Sequence, residues 1–220
     1  MDFYKDWNFW LAIFTAGTAL LAIFQTQRQI KLSNKQQLYD KRVEIYEKAD
    51  SILGLWSKAK DLFESNETSP ILTIDYRFLH MTNSSYLEKC YLAIKNPLES
   101  PQHEIFLRKL EEIRSLGLNF SLLFSGAEAQ YVEKFLYCYR DLLMEMYRYK
   151  KVIIDVEKKI DDTPSILRTP GFREEIIASS HELEIRSRVV SKADELKNIY
   201  NQLKVYNAEA KLKRQISLLR

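Results

Sequence analysis

The side chains in this 220-residue chain that could do chemistry are three histidines, two cysteines and a pair of acids one helical turn apart. His80, His103 and His181 are far apart in sequence. None stands in HExxH or in the ExxH spacing from which helical bundles build metal sites. A helix would set Asp141 and Glu145 on one face, as it would two carboxylate ligands. Arg140 and Arg148 flank them, however, and a solvated face of mixed charge accounts for the pattern, because a metal needs ligands converging from several helices. Ser179, Ser180 and His181 are adjacent, yet a nucleophile needs its base beside it in space and a third group to orient that base. Neither a Walker A loop nor GxGxxG is present, and five glycines are too few for a phosphate cradle. The residues therefore point to no catalytic set, no metal and no cofactor, and the chain is expected not to be an enzyme. An enzyme with an unrecognised site would have to gather several of Glu88, Asp141, Glu145 and His181 in one polar cavity.

Tyr147, Arg148, Tyr149, Lys150 and Lys151 interleave rings with cations, as single-strand nucleic-acid binders do. On a helix they point in several directions and divide between core and solvent, so no nucleic acid is expected. Cys90 and Cys138 belong to no metal or redox motif, and buried, reduced thiols are expected. The formal charge of +3 is partly explained by a single basic cluster, described next.

The element that must position everything else is Trp7 to Phe24 (WNFWLAIFTAGTALLAIF), which contains no charged residue. As a helix it covers about 27 Å, close to the hydrocarbon thickness of a bilayer. Arg28, Lys31, Lys35, Lys41 and Arg42 follow it, where they can meet anionic lipid headgroups. Only Lys5 precedes it, opposed by Asp2 and Asp6. The positive-inside rule then places the N-terminus outside and the rest in the cytoplasm. A cleaved signal peptide fails on these flanks, since it needs a basic segment before a shorter apolar core. Residues 1–27 are read as a transmembrane anchor and 28–220 as one cytoplasmic helical domain. Ala12, Thr15, Ala16, Ala19 and Ala22 recur at helical spacing, a stripe along which two spans can approach; small residues also occur in any span, and no GxxxG is present.

No glycine or proline stands between Gly17 and Gly54, so anchor and stalk are predicted to be one helix ending near Glu64. Tyr39, Val43, Tyr46, Ala49, Leu53, Trp56 and Phe63 keep a three-four spacing, a stripe for a bundle or coiled coil. Of these, Tyr39, Tyr46, Trp56 and Phe63 are candidates for core packing or partner contact. Pro70 opens the next segment, and Ile71 to Met81 reads as helix because a lone strand has nothing to pair with. Capping boxes at Ser85/Glu88 and Ser125/Glu128, and an N-cap at Ser100 before Pro101, mark further helix starts. Ile105, Leu107, Leu110, Ile113, Leu116 and Phe120 form one apolar stripe, weakened by Gly117. A long helix then runs to about Ile160, until DDTPS breaks it. The last helical region, after Gly171, reaches almost to Arg220, interrupted around Ser179 and Ser180, with Val189, Ala193, Leu196, Tyr200, Leu203 and Ala210 inward. The expected fold is all-α: a transmembrane helix continuing into a stalk packed in an antiparallel helical bundle.

Leu38 to Glu47 (LYDKRVEIYE), placed directly after an N-terminal span, resembles the signature of a group of small bacterial single-pass membrane proteins of uncharacterised activity. Their pattern is a span, then roughly L-F-D-K-R-x-E-I-Y-E, then a helix ending in F-L-F before a capped helix. IRSLGLNFSLLFSGAEAQYVEKFL, from Ile113 to Leu136, follows the second part loosely. The resemblance implies a helical protein anchored in a bacterial inner membrane and brings no catalytic residue. The resulting expectation is a membrane-tethered interaction or scaffold module that binds itself or another protein through a helix face. A membrane-acting effector of a bacterial phage-defence or toxin system is the alternative.

Overall fold

The computed structural model describes residues 7–63, 70–164 and 171–217. Every regular element among them is helical. α1 runs without a break from Trp7–Ala59 and tightens into a 3-10 turn at Lys60–Phe63. At about 1.5 Å per residue it is roughly 80 Å long. Its predicted end at Glu64 lies just outside the described residues, but α2 does begin at the proline, spanning Pro70–Thr82. α3 (Tyr91–Lys95), α4 (Gln102–Leu123), α5 (Ala127–Asp162), α6 (Phe172–Ser179), α7 (Glu182–Val205) and α8 (Ala208–Ser217) follow.

α5 is the central element, buried along its length from Ala129 to Val156. It packs mainly on α4 and α7, and both partners run against it. On α4 the Phe106 ring stacks on Tyr147 at 4.8 Å, whereas Gly117, farther along α4, meets Tyr137, earlier in α5. On α7 the Tyr149 hydroxyl donates to Glu182 at 2.6 Å, and Phe135 lies 6.1 Å from Tyr200. The last third of α1 enters the same core through Ile45, Ala49, Ile52, Leu55, Trp56 and Ala59.

Several expected details are corrected. The buried face of α1 is rotated from the predicted stripe: Trp56 and Ala49 are in the core, but Tyr39, Val43, Tyr46, Leu53 and Phe63 are only half-buried. Tyr39 and Tyr46 keep their hydroxyl ends toward the margin, while Ile45, Ile52 and Leu55 take the centre beside Trp56. On α4, Phe106 is buried and Leu107 is exposed, because α5 presents Tyr147 to the Phe106 side. Gly117 does not merely weaken that helix; a Cβ there would stand 2.8 Å from the Tyr137 ring, so its lack of a side chain admits the ring.

None of the predicted side-chain caps forms. Leu87 caps the 3-10 turn Glu88–Cys90, and the hydroxyl its N–H reaches is that of Ser84, at 3.3 Å, rather than Ser85. Ser100 donates instead to Glu104 at 2.9 Å, and Pro101 takes the cap position. At α5 the cap is Gly126, at φ 94°, a conformation that favours glycine. The expected break near Ser180 is present, closed by His181 at φ 59°. A second break lies at Asn207, φ 49°, within the stretch the sequence predicts to continue as helix almost to Arg220. It turns α8 in register, so that Ala208 and Leu212 are buried rather than Ala210.

Candidate functional site

The feature that no packing explains is the first half of α1. From Trp7 to Gln37 each residue is exposed, including Trp7, Phe14, Leu21 and Phe24, each at least 64% accessible. Keeping such a side chain in water forgoes about 1.5–3 kcal/mol. An 18-residue window within it has mean hydropathy 1.6 and none of its residues is buried. Its hydroxyls are internally satisfied: Thr15 donates to the carbonyl of Leu11 at 2.8 Å, Thr18 to Thr15 at 2.9 Å and Thr26 to Ala22 at 2.8 Å. A hydroxyl bonded back to its own helix does not need water, which suits an apolar surrounding. Ala12, Thr15, Ala16, Ala19 and Ala22 all lie on this exposed cylinder.

Arg28, Lys31, Lys35 and Lys41 are exposed on the stretch that follows. Arg42 is not like them. Half-buried, it donates through Nη1 to the carbonyl of Gln215 at 3.1 Å and stands over the Phe124 ring at 5.6 Å. Gln215 is itself clamped to the α4–α5 turn: its Oε1 accepts the Ser125 N–H at 2.9 Å, and its Nε2 donates to the Ser125 carbonyl at 2.8 Å. The end of the core nearest the exposed half of α1 is therefore closed by α8.

Deeper in the core, Trp56 packs against Phe63 at 5.5 Å, and the Arg77 guanidinium lies over that ring at 5.2 Å. Tyr46 faces a pocket beside α8, where burial, with the charges of Asp50 and Glu209, pushes its phenol up to about 12. Cys90 and Cys138 are free and buried, as expected. Burial pushes each thiol up to about 12, which keeps both protonated and unreactive.

The candidate chemical residues do not converge. Asp141 is paired with Arg140 at 2.6 Å and Glu145 with Arg148 at 2.7 Å. Both carboxylates line a groove shared with Arg108 and Lys192, while Glu88 lies in the 3-10 turn and His181 at the α6–α7 corner. His80 packs edge-on to Tyr76, and His103 Nδ1 lies 2.8 Å from the Tyr147 hydroxyl. Among the described residues no group of three or more His, Cys, Asp or Glu side chains gathers at one point. Of the basic-aromatic run, Tyr147 and Tyr149 are core, Arg148 and Lys151 are exposed, and Lys150 pairs with Asp75 at 2.8 Å. Periodicity could not find the buried Tyr149–Glu182 bond, which joins helices far apart in sequence, or the pocket before Gly54.

This geometry defines an all-helical protein with one long apolar helix at its start. No protein-family model matches the chain, and neither does any curated protein or solved structure.

Proposed function

We propose that the chain is a non-enzymatic interaction module, anchored by a single N-terminal span in a bacterial inner membrane, with the N-terminus outside and the helical domain in the cytoplasm. The observation that supports it is the contrast within α1: an apolar half that no other element covers, and a second half that is part of the core. A bilayer covers an apolar cylinder on all sides, and the internally bonded threonines make the transfer inexpensive. The exposed Arg28, Lys31, Lys35 and Lys41 then face the anionic headgroups. Because α1 continues unbroken into an antiparallel bundle, tilt or association of the span is passed to the helices that meet a partner, whether a second copy or another protein.

The test is fractionation followed by labelling. The protein is expected to stay with membranes through alkaline carbonate washing. In intact cells an impermeant maleimide is expected to label Asp2→Cys and to leave Ser217→Cys unlabelled until the membrane is opened. A protein released by the wash ends the anchored reading, and the reverse labelling pattern reverses the orientation.

The same continuity favours a second reading, a membrane-acting effector whose spans assemble along Ala12, Ala16 and Ala19. If so, Ala16→Leu and Ala19→Leu should relieve growth arrest on overexpression; undiminished arrest sinks the close-packed version.

A further inference from the structure

Gly54 stands in the interior of α1, where glycine costs about 0.5–1 kcal/mol relative to alanine. Nothing in the structure demands it. Its φ is outside the left-handed region, and a Cβ placed there meets no atom within 4 Å. Gly117 is the opposite case, since the Tyr137 ring occupies the space of its missing side chain. What lies before Gly54 is open space: a pocket of 380 Å³ walled by α1, α7 and α8. That volume falls within the range of small-ligand sites, about 300–1,000 Å³.

The pocket has an apolar floor, made by Ala49, Phe120, Val132, Leu203 and Leu212, and a polar rim. Four charged groups stand at or behind the rim. Glu209 is paired with Lys213 at 2.6 Å, and the Lys204 ammonium lies over the Tyr200 ring at 4.8 Å. Asp50 is exposed at the mouth and accepts no hydrogen bond among the described residues, and the cation that acts on it, Lys213, is already paired with Glu209. Partial burial, then the Glu209 charge, hold its carboxyl above the usual carboxylate range against the opposing pull of Lys213. A cation placed against Asp50 relieves both effects, whereas an anion there would add to the repulsion.

We propose that this pocket binds a small amine, with its protonated ammonium group set against Asp50 and its apolar body lying over Gly54 and the floor. The ligand then bridges α1 and α8, the same two helices that Arg42 and Gln215 join. The site is independent of whether the span lies in a bilayer.

The probe is 2-phenylethylamine, with phenylacetate as its anionic counterpart, observed by saturation-transfer NMR on the full-length protein in lipid nanodiscs. Saturation of the amine by the wild type is expected, reduced at least fivefold in Gly54→Leu, which fills the pocket, and in Asp50→Asn, which removes the charge. Gly54→Ala should fall between, and thermal melts identify any variant that fails to fold; if Gly54→Leu does, Gly54→Ala and Asp50→Asn decide. Equal saturation in a folded Gly54→Leu would place the amine in the lipid and overturn the proposal. So would phenylacetate binding as well as the amine, or a wild-type protein that binds neither.

Discussion

The guanidinium of Arg42 donates to the main-chain carbonyl of Gln215 at 3.1 Å, so a residue in the middle of the first helix holds the last turn of the eighth. A charged donor on a carbonyl contributes about 1.5–3 kcal/mol. α8 is short, and at this end the Arg42 bond is joined only to the Gln215–Ser125 clamp and the Ile216 contact, so the effect should be local. Arg42→Ala is expected to raise amide hydrogen exchange across residues 208–217 at least tenfold, with α5 protection unchanged. Equal loss of protection in both helices would mean that α8 does not open separately.

The Tyr139 hydroxyl, wholly buried, donates to the carbonyl of Met81 and so ties the end of α2 to α5. Tyr139→Phe keeps the ring and leaves that carbonyl unsatisfied in the interior, at a cost of about 1–3 kcal/mol. For a domain of this size the melting temperature should fall by several degrees, as read by circular dichroism. Tyr137→Phe, which removes only a part-exposed bond to Glu133, should melt within a degree or so of wild type.

Alkaline pH should unfold the protein through its buried acids. The thiols of Cys90 and Cys138 move from 9.0 to about 12 on folding. Below 9 both are protonated in either state, and their contribution is constant. Between 9 and 12 the unfolded thiol ionises and the native one does not, so stability falls as pH rises, by up to about 1.4 kcal/mol per pH unit for each group. Tyr46, also raised to about 12, shifts in the same sense. The urea midpoint is expected to be flat from pH 7 to 9 and to decline above it. Cys90→Ser with Cys138→Ala should flatten that decline, and an unaltered slope would remove the thiols as its cause.

The helical class and the unbroken α1 were legible because they rest on short-range facts: no glycine or proline from residue 18 to 53, apolar spacing, and prolines at the breaks. The positions that failed depend on neighbours distant in sequence. Ser125 has the form of a cap, but Gln215 approaches from α8 and takes its main chain. Leu107 and Phe106 are both apolar, and only the Tyr147 ring decides which goes inward. Arg42 reads as a headgroup cation until α8 supplies a carbonyl. Asp50 and Glu209 give no hint in one dimension that they rim the same pocket.

On the proposed anchoring, the exposed stretch of α1 between the apolar segment and the core, about residues 25–37, would divide any self-association between two separable surfaces. Either the helical domains meet, or the spans do. Static light scattering on the full-length protein in detergent and on a chain beginning at Gln29 distinguishes them. The interaction-module reading expects both to be oligomers of the same order, because the contact then belongs to the helical domain. An oligomeric full-length protein with a monomeric truncated chain would move the interface into the stripe of Ala12, Ala16 and Ala19 and favour the effector reading. Two monomers would exclude a homo-oligomer in detergent and leave a different protein as the partner of the helix faces.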